Sequence, residues 1–241
     1  MEIRRALQPK NPRVRTFLTL RKSIGILAWA LPFAVAIPYY FAHQILLSSI
    51  SAYYYTGSRN YFVGTLCAVG LFMFCNRGYG PRDEGAAYVS AVCAFGVAFF
   101  PTTPDPRSIH CDCSVVMVIL GGHLHLTFAA ILFLTLAYFC LRLFTLSAVG
   151  VEITYEKHIR NRVYIGCGWT ILISMAVILI LSLCPQLQLR LKWPCPKLPF
   201  DAFFETTSLL AFGTAWLVKG EAIWFLNDGG LRQKTSPAWS G

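Results

Sequence analysis

Six long apolar segments, separated by polar connections, constrain this chain more than any other feature of its sequence. They lie at about Ser23–Ala42, Tyr61–Cys75, Ala86–Phe100, His123–Phe144, Tyr164–Cys184 and Phe203–Leu226. A helix needs about 20 predominantly apolar residues to cross the hydrocarbon core of a bilayer. Only 13% of the residues are charged, whereas a soluble domain has charge at about a quarter of its positions. The sequence therefore predicts an all-α fold, a polytopic membrane helix bundle of about six transmembrane helices.

Lysine and arginine residues are distributed unevenly between alternate connections, and this distribution predicts the orientation. Of 21 such residues, 16 share a side with the termini and 5 lie on the other side. Cytoplasmic connections carry the excess of Lys and Arg in membrane proteins, so both termini are expected in the cytoplasm. The expected organisation is a basic cytoplasmic segment 1–22, a transmembrane domain 23–226 and a cytoplasmic tail 227–241. A bacterial inner membrane is the expected location.

The net charge of +10 raises the question of a nucleic-acid partner. However, the basic residues lie between apolar segments rather than beside aromatic residues on one polar face, so no nucleic-acid binding is expected. The expected partners are the lipid bilayer and other membrane protein subunits. The first 22 residues are too polar for a signal peptide and the segment after them is too long, so we expect a retained first span.

Polar residues collect at the ends of the segments on the side opposite the termini. Here the candidate catalytic residues are His125, Glu205 and Ser51. His125 and Glu205 would polarise a water molecule, directly or through a metal, because imidazole and carboxylate groups act as general bases. The candidate substrate-binding residues are Arg59, Asn60, Tyr55 and Asp105. Structural alternatives stay open, since tyrosines 53–55 are typical of an interfacial aromatic belt and the nearby serines of helix caps.

Glu205 is the most informative of these residues because a carboxylate within a membrane segment is costly and normally faces protein or a cavity. Its expected partners are Arg59 or a histidine, in either a functional site or a structural ion pair. The candidate zinc ligands are His123, His125 and Glu205. Histidines at positions i and i+2 of a regular helix point about 200° apart, so His123 and His125 are not expected to bind the same ion.

Four cysteines are disulfide candidates because they lie in the connections on the side opposite the termini. They are Cys111, Cys113, Cys184 and Cys195. Cys184 with Cys195 is the simplest pairing, and Cys111 and Cys113 with His110 could instead form a soft-metal site. The third segment carries the small residues Ala87, Ser90, Ala91, Ala94 and Ala98, which favour close helix packing.

Several short stretches resemble an uncharacterised group of bacterial multi-pass membrane proteins, and the resemblance covers most of the chain. They are Ser-Ile-Ser-Ala-Tyr-Tyr-Tyr-Thr (49–56), Tyr-Phe-Val-Gly (61–64), Asn-Arg-Gly-Tyr (76–79), Phe-Pro-Thr (100–102), His125 to Ala129, and Glu205 with Phe-Gly-Thr-Ala-Trp-Leu-Val-Lys-Gly (212–220). This resemblance implies a topology and no particular activity.

A more distant resemblance is to the membrane hydrolase superfamily of the alkaline ceramidases and the progestin/adiponectin receptors. Those proteins place Ser, Asp and three His around zinc at one membrane face and hydrolyse lipid amides. Ser51 and His125 match in kind. The chain departs from the superfamily in having six segments rather than seven, Asn60 in place of an Asp, and no His-x-x-x-His in its last segment.

Three functional hypotheses remain open from the sequence. The first is a non-catalytic subunit or accessory factor of a membrane system, and the second is an outward-facing metal-dependent lipid hydrolase. The third is a small transporter or lipid-binding protein that uses the same polar residues. The hydrolase requires Ser51, His125 and Glu205 to converge in one cavity, whereas a transporter requires a polar path that reaches Arg77 or Lys219.

Overall fold

The described part of the chain, in a computed structural model, comprises residues 12–76, 80–106, 115–147, 154–184, 186–187, 198–223 and 226–227. Within these ranges it forms six long α-helices and no β-strand. They are α1 (Pro12–His43), α2 (Arg59–Cys75), α3 (Pro81–Phe99), α4 (Val115–Tyr138), α5 (Tyr155–Leu183) and α6 (Phe200–Lys219). A 3₁₀-helix, Ser51–Tyr55, lies between α1 and α2, and a π-helical turn, Phe139–Leu143, extends α4. The all-α class is confirmed.

Three of the described helical stretches are long and apolar enough to cross a membrane. They are Val14–His43, Leu120–Leu143 and Tyr155–Leu183, with mean hydropathies of 1.7, 2.1 and 2.2 in their most apolar windows. Helix α2 is shorter and also apolar, whereas α3 and α6 contain carboxylates such as Asp83 and Glu205. Large apolar side chains such as Phe41 and Leu183 are exposed, as they are on a surface that contacts lipid. The chain is an integral membrane protein.

The helices form a closed ring in chain order. Each of α1 to α5 packs against the helix that follows it, and α6 packs against α1. Helices α1 and α6 run antiparallel, because Gly220 lies beside Lys22 at one end and Ala202 N bonds the carbonyl oxygen of Ser48 at the other. The bundle therefore has two ends, which we name by their residues. The tyrosine end carries the 3₁₀-helix Ser51–Tyr55, and the lysine end carries Lys219 at the end of α6.

The contact that closes the ring brings the backbones of α1 and α6 together. A Cβ atom on Gly25 would lie 2.9 Å from the carbonyl oxygen of Gly213, and one on Gly213 would lie 2.8 Å from that of Gly25. Beside the two glycines, Trp29 Nε1 donates a hydrogen bond to Thr214 Oγ1 (3.0 Å). Small residues allow membrane helices to approach this closely, so two glycines on different helices determine the closure.

Helix α3 packs through its small residues, as the sequence predicts. Ala87, Ser90, Ala91, Ala94 and Ala98 are each at most 1% exposed, and the helix packs against both α2 and α4. A helix that buries small side chains on two sides has little surface left for lipid. This explains why α3 is less apolar than the three helical stretches that could cross a membrane.

An aromatic cluster holds the lysine end together. Phe139 begins the π-helical turn and Phe144 directly follows it. Their rings lie 5.7 Å and 5.3 Å from the ring of Trp216 on α6, measured between centroids. Phe144 also lies 5.3 Å from Tyr164 on α5. The π-helical turn shifts the register of the helix, so that both phenylalanines reach the same tryptophan.

The helices extend beyond several of the predicted segments. Helix α1 begins at Pro12 and α5 at Tyr155, since their polar first turns remain helical outside the apolar stretch. Helix α6 ends at Lys219, before the predicted end at Leu226. Its end coincides with Glu221, whose φ of 59° places it in the left-handed region and stops the helix.

Candidate functional site

The ring of helices surrounds a central cavity of about 80 Å³. Fourteen of its eighteen lining residues are apolar, and they come from α1, α2, α3, α4, α6 and Ile50. The four polar ones are Ser51, Thr65, His125 and Glu205. The three candidate catalytic residues predicted from the sequence are therefore brought to one cavity, where Thr65 joins them.

The cavity is elongated along the helices. Its lining runs from Phe62 to Met73 on α2 and from His125 to Leu136 on α4. At a rise of 1.5 Å per residue, each stretch covers about 16 Å. Ser51, Glu205 and His125 lie towards the tyrosine end, since Ser51 begins the 3₁₀-helix, Glu205 contacts it, and His125 bonds the residue that follows α3. The cavity is thus polar at one end and apolar at the other.

The Glu205 carboxylate is bound by backbone amides. Its Oε2 accepts a hydrogen bond from Ile50 N (2.6 Å), and the amide of Ser51 donates to the same carboxylate. These are the first amides of the 3₁₀-helix, which have no partner within the helix, so Glu205 supplies its N-terminal cap. The expected ion pair with Arg59 is replaced by this cap. Arg59 is exposed and donates instead to Tyr54 Oη (2.6 Å).

His125 is 3% exposed, and its Nδ1 lies 2.8 Å from the carbonyl oxygen of Phe100. A carbonyl oxygen can only accept, so Nδ1 carries the proton. In the neutral ring Nε2 then holds a lone pair. His123 is exposed, because two residues along a helix reverse the direction of the side chain. The structure therefore separates the predicted zinc ligands, with His125 and Glu205 at the cavity and His123 on the surface.

No group of three or more His, Cys, Asp or Glu residues in the described ranges is arranged to hold a metal ion. His125 and Glu205 are the two residues of the cavity lining that could ligate one. Ser51, half-buried beside them, shares a hydrogen bond between its Oγ and Ser49 Oγ (3.1 Å). A hydroxyl, an imidazole and a carboxylate thus line the polar end of the cavity.

The candidate substrate-binding residues lie outside the cavity lining. Asp105 is 5% exposed and its Oδ2 accepts from Ser48 N (2.6 Å), while Tyr55 Oη donates to the Thr102 carbonyl oxygen (2.6 Å). Asn60 is exposed at the start of α2, next to Arg59. Asp105 and Tyr55 therefore join the segment after α3 to the segment around the 3₁₀-helix.

The tyrosines of the 3₁₀-helix differ in their surroundings. Tyr53 is 1% exposed, so it does not belong to an interfacial belt, and its Oη accepts from Leu47 N (3.3 Å). Burial raises the pKa of this phenol, and the nearby Asp105 carboxylate raises it further. Tyr54 and Tyr55 are half-buried. The aromatic-belt interpretation is wrong for Tyr53. In the sequence it stands in a run of three tyrosines, and nothing in that run distinguishes the buried residue from the other two.

Sequence reasoning missed how the connection before the 3₁₀-helix is held. Two carboxylates from distant parts of the chain, Asp105 and Glu205, accept hydrogen bonds from the amides of Ser48 and Ile50. In addition, Ala202 N donates to the carbonyl oxygen of Ser48 (2.9 Å). No sequence pattern predicts these contacts, because all three donors are backbone amides and one of the acceptors is a backbone carbonyl oxygen.

The predicted disulfide pairing stays a prediction. Cys184 is exposed at the end of α5. Its expected partner Cys195 lies outside the described residues, as do Cys111, Cys113 and His110.

Comparisons with models of known protein families, with curated proteins and with solved structures found no match.

Proposed function

We propose that this protein is a non-catalytic accessory factor that binds an amphipathic lipid, with one acyl chain held in the central cavity. The observation that carries the proposal is the shape of the cavity, which is about 16 Å long and polar at only one end. This length is about half of the roughly 30 Å hydrocarbon core, and so matches the depth of one leaflet. An acyl chain that enters beside a polar headgroup has the same distribution of polarity.

The proposal includes a placement in the membrane. All six helices span it, both termini are cytoplasmic, and the membrane is the bacterial inner membrane. The distribution of Lys and Arg, 16 against 5, supports this orientation. The tyrosine end then faces outward, and the polar end of the cavity lies at the headgroups of the outer leaflet.

The polar groups of the cavity suit the first atoms of a lipid below its headgroup. Ligand sites are commonly apolar, with a few polar groups that fix orientation. Nε2 of His125 can accept a hydrogen bond from the hydroxyl group of a fatty acid or the N–H of an amide, and Oγ of Ser51 can donate one to the carbonyl oxygen of an ester, amide or fatty acid. Glu205 orients the 3₁₀-helix that carries Ser51.

Replacing Ala129 with leucine is expected to reduce lipid binding about ten-fold. Ala129 lines the cavity, and a leucine there would displace about two methylene groups of a bound chain, each contributing about 0.8 kcal/mol. The measurement is photolabelling of the detergent-purified protein by a fatty acid with a diazirine on its chain. Labelled peptides should come from α2 and α4.

Ala130 provides the control, since it is the next residue on α4 and is exposed. Ala130→Leu should be labelled as strongly as the unmodified protein. Equal labelling of the Ala129→Leu and Ala130→Leu variants would contradict the proposal, as would labels found only on lipid-facing surfaces.

A lipid hydrolase is the second candidate, and the convergence of Ser51, His125 and Glu205 on one cavity favours it. Nε2 of His125 would act as the general base, for water or for the Ser51 hydroxyl, and His125 and Glu205 could hold zinc. The hydrogen bond from Nδ1 to the Phe100 carbonyl orients the ring for either role.

A fluorogenic lipid ester in vesicles tests this second candidate. If the protein is a hydrolase, His125→Gln is expected to lower the hydrolysis rate by about 10²- to 10⁴-fold, the usual contribution of a general base. His123→Gln should leave the rate unchanged, because His123 is exposed and lies outside the cavity lining. No turnover by the unmodified protein, with or without zinc, would exclude this function for the substrate tested.

A further inference from the structure

Two side-chain atoms at the polar end of the central cavity have no hydrogen-bond partner among the described residues. One is Nε2 of His125, whose other ring nitrogen bonds the Phe100 carbonyl oxygen. The other is the hydroxyl oxygen of Thr65, which lines the cavity near the beginning of α2. By contrast, the hydroxyl groups of Thr127 and Thr207 bond carbonyl oxygens within their own helices. Polar groups that are shielded from water need partners, so these two atoms indicate a ligand.

The two atoms fit a headgroup that both donates and accepts a hydrogen bond. Nε2 of the neutral His125 ring can only accept, whereas the Thr65 hydroxyl can donate. A hydroxyl group has one donor hydrogen and two acceptor lone pairs, so it meets both requirements. An ionised carboxylate or phosphate diester only accepts, and it would leave Nε2 without a partner. The hydrogen-bonding pattern therefore favours an alcohol headgroup.

The charge of the cavity lining also distinguishes between headgroups. None of the eighteen described residues that line the cavity is a lysine or an arginine, and Glu205 carries a carboxylate. The strongest interaction of Glu205 with another charge is repulsion by Asp201, one helical turn earlier on α6. Arg59 lies outside the lining and is exposed, and it donates to Tyr54 Oη. An anion at the polar end would therefore be repelled by Glu205, and no cation in the lining would offset the repulsion.

We propose that the lipid held in the cavity is uncharged and carries a hydroxyl group, and that the cavity excludes lipids with an anionic headgroup. The proposal rests on the lipid-binding function proposed above and names the class of lipid. The hydroxyl group donates to Nε2 of His125 and accepts from the hydroxyl of Thr65, and Glu205 repels an anion at the same place. A fatty acid meets these requirements in its protonated form.

Photolabelling of the detergent-purified protein by a hexadecanol that carries a diazirine on its chain tests this class of lipid. Unlabelled hexadecanol and hexadecyl sulfate are competitors with the same chain length. Hexadecanol should displace the probe at about ten-fold lower concentration than hexadecyl sulfate, because repulsion by Glu205 of about 1.4 kcal/mol opposes the sulfate. Hexadecyl methyl ether, which lacks the donor hydrogen, should compete about five-fold less well than hexadecanol, the effect of one hydrogen bond.

Variants of the lining residues test the same contacts from the side of the protein. Thr65→Val keeps the shape of the side chain and should weaken displacement by hexadecanol about five-fold. Thr127→Val is its matched control, because the exposed Thr127 hydroxyl bonds the His123 carbonyl oxygen (2.9 Å). Glu205→Gln removes the charge and should remove most of the difference between hexadecanol and hexadecyl sulfate. Asp201→Asn removes a charge outside the lining and should remove less of that difference.

The possible results distinguish failure of the headgroup selection from failure of lipid binding. Labels found only on lipid-facing surfaces would overturn both the lipid-binding function and the selection. Labelling of α2 and α4 that hexadecyl sulfate prevents as well as hexadecanol does would leave lipid binding in place and overturn the selection. Equal weakening of hexadecanol displacement in Thr65→Val and Thr127→Val would also overturn it.

Discussion

Replacing Glu205 with alanine is expected to destabilise the folded protein by about 3 to 6 kcal/mol. The carboxylate of the half-buried Glu205 accepts hydrogen bonds from the amides of Ile50 and Ser51, at the polar end of the cavity. Hydrogen bonds to a charged group contribute about 1.5 to 3 kcal/mol each. Alanine removes both and leaves two amides without partners, so the 3₁₀-helix loses its cap.

Thermal unfolding in detergent measures this effect. Thr207→Val is the matched control on the same helix, because the Thr207 hydroxyl bonds the Phe203 carbonyl oxygen within α6 (2.8 Å). Glu205→Gln, which keeps one acceptor oxygen and the shape of the side chain, should fall between the two. A melting temperature of Glu205→Ala within a degree of that of Thr207→Val would show that the carboxylate does not hold this segment.

Replacing Gly213 with valine is expected to separate α1 from α6 and to destabilise the protein by about 3 kcal/mol. A single Cβ atom at this position would already lie 2.5 Å from Trp29 Cδ1 and 2.8 Å from the Gly25 carbonyl oxygen. Backbone atoms cannot move aside as the end of a flexible side chain can. Relief therefore requires the two helices to move apart, which also breaks the hydrogen bond from Trp29 to Thr214.

Gly64 and Gly166 provide the controls for this substitution. A Cβ atom on either would have no heavy atom outside its own helix within 4 Å. Gly64→Ala and Gly166→Ala should therefore raise stability by up to about 1 kcal/mol, the difference in helix propensity between Gly and Ala. Loss of stability in these variants as large as in Gly213→Val would show that the close approach of α1 and α6 is not the cause.

The helical class could be predicted because each apolar segment carries its own signal, independent of its neighbours. The meeting of Ser51, His125 and Glu205 was also within reach, since alternating spans place their polar ends on one side. The hydrogen-bond partners of Glu205 could not be predicted from the sequence. The sequence contains charged side chains that suggest ion pairs, but its amides are the same at every position, and so the 3₁₀-helix cap is visible only in three dimensions.

The contacts between distant helices were equally hidden. No glycine motif within one segment marks the approach of Gly25 and Gly213, because each helix contributes one glycine. Arg21 counts, in the sequence, as one more positive charge before the first apolar segment, yet it is buried beside α6. Charge patterns describe which side of a membrane a residue occupies. They do not describe which cations meet there.

The packing of α1 against α6 has a consequence for synthesis. Helices emerge from the ribosome in chain order, so α1 must wait for α6 before its Gly25 surface is covered. Until then the wall of the cavity is open on one side to the surrounding bilayer. A chain that stops before α6 also lacks Glu205, so its 3₁₀-helix stays uncapped. The synthesis of α6 and the enclosure of the cavity are thus a single event.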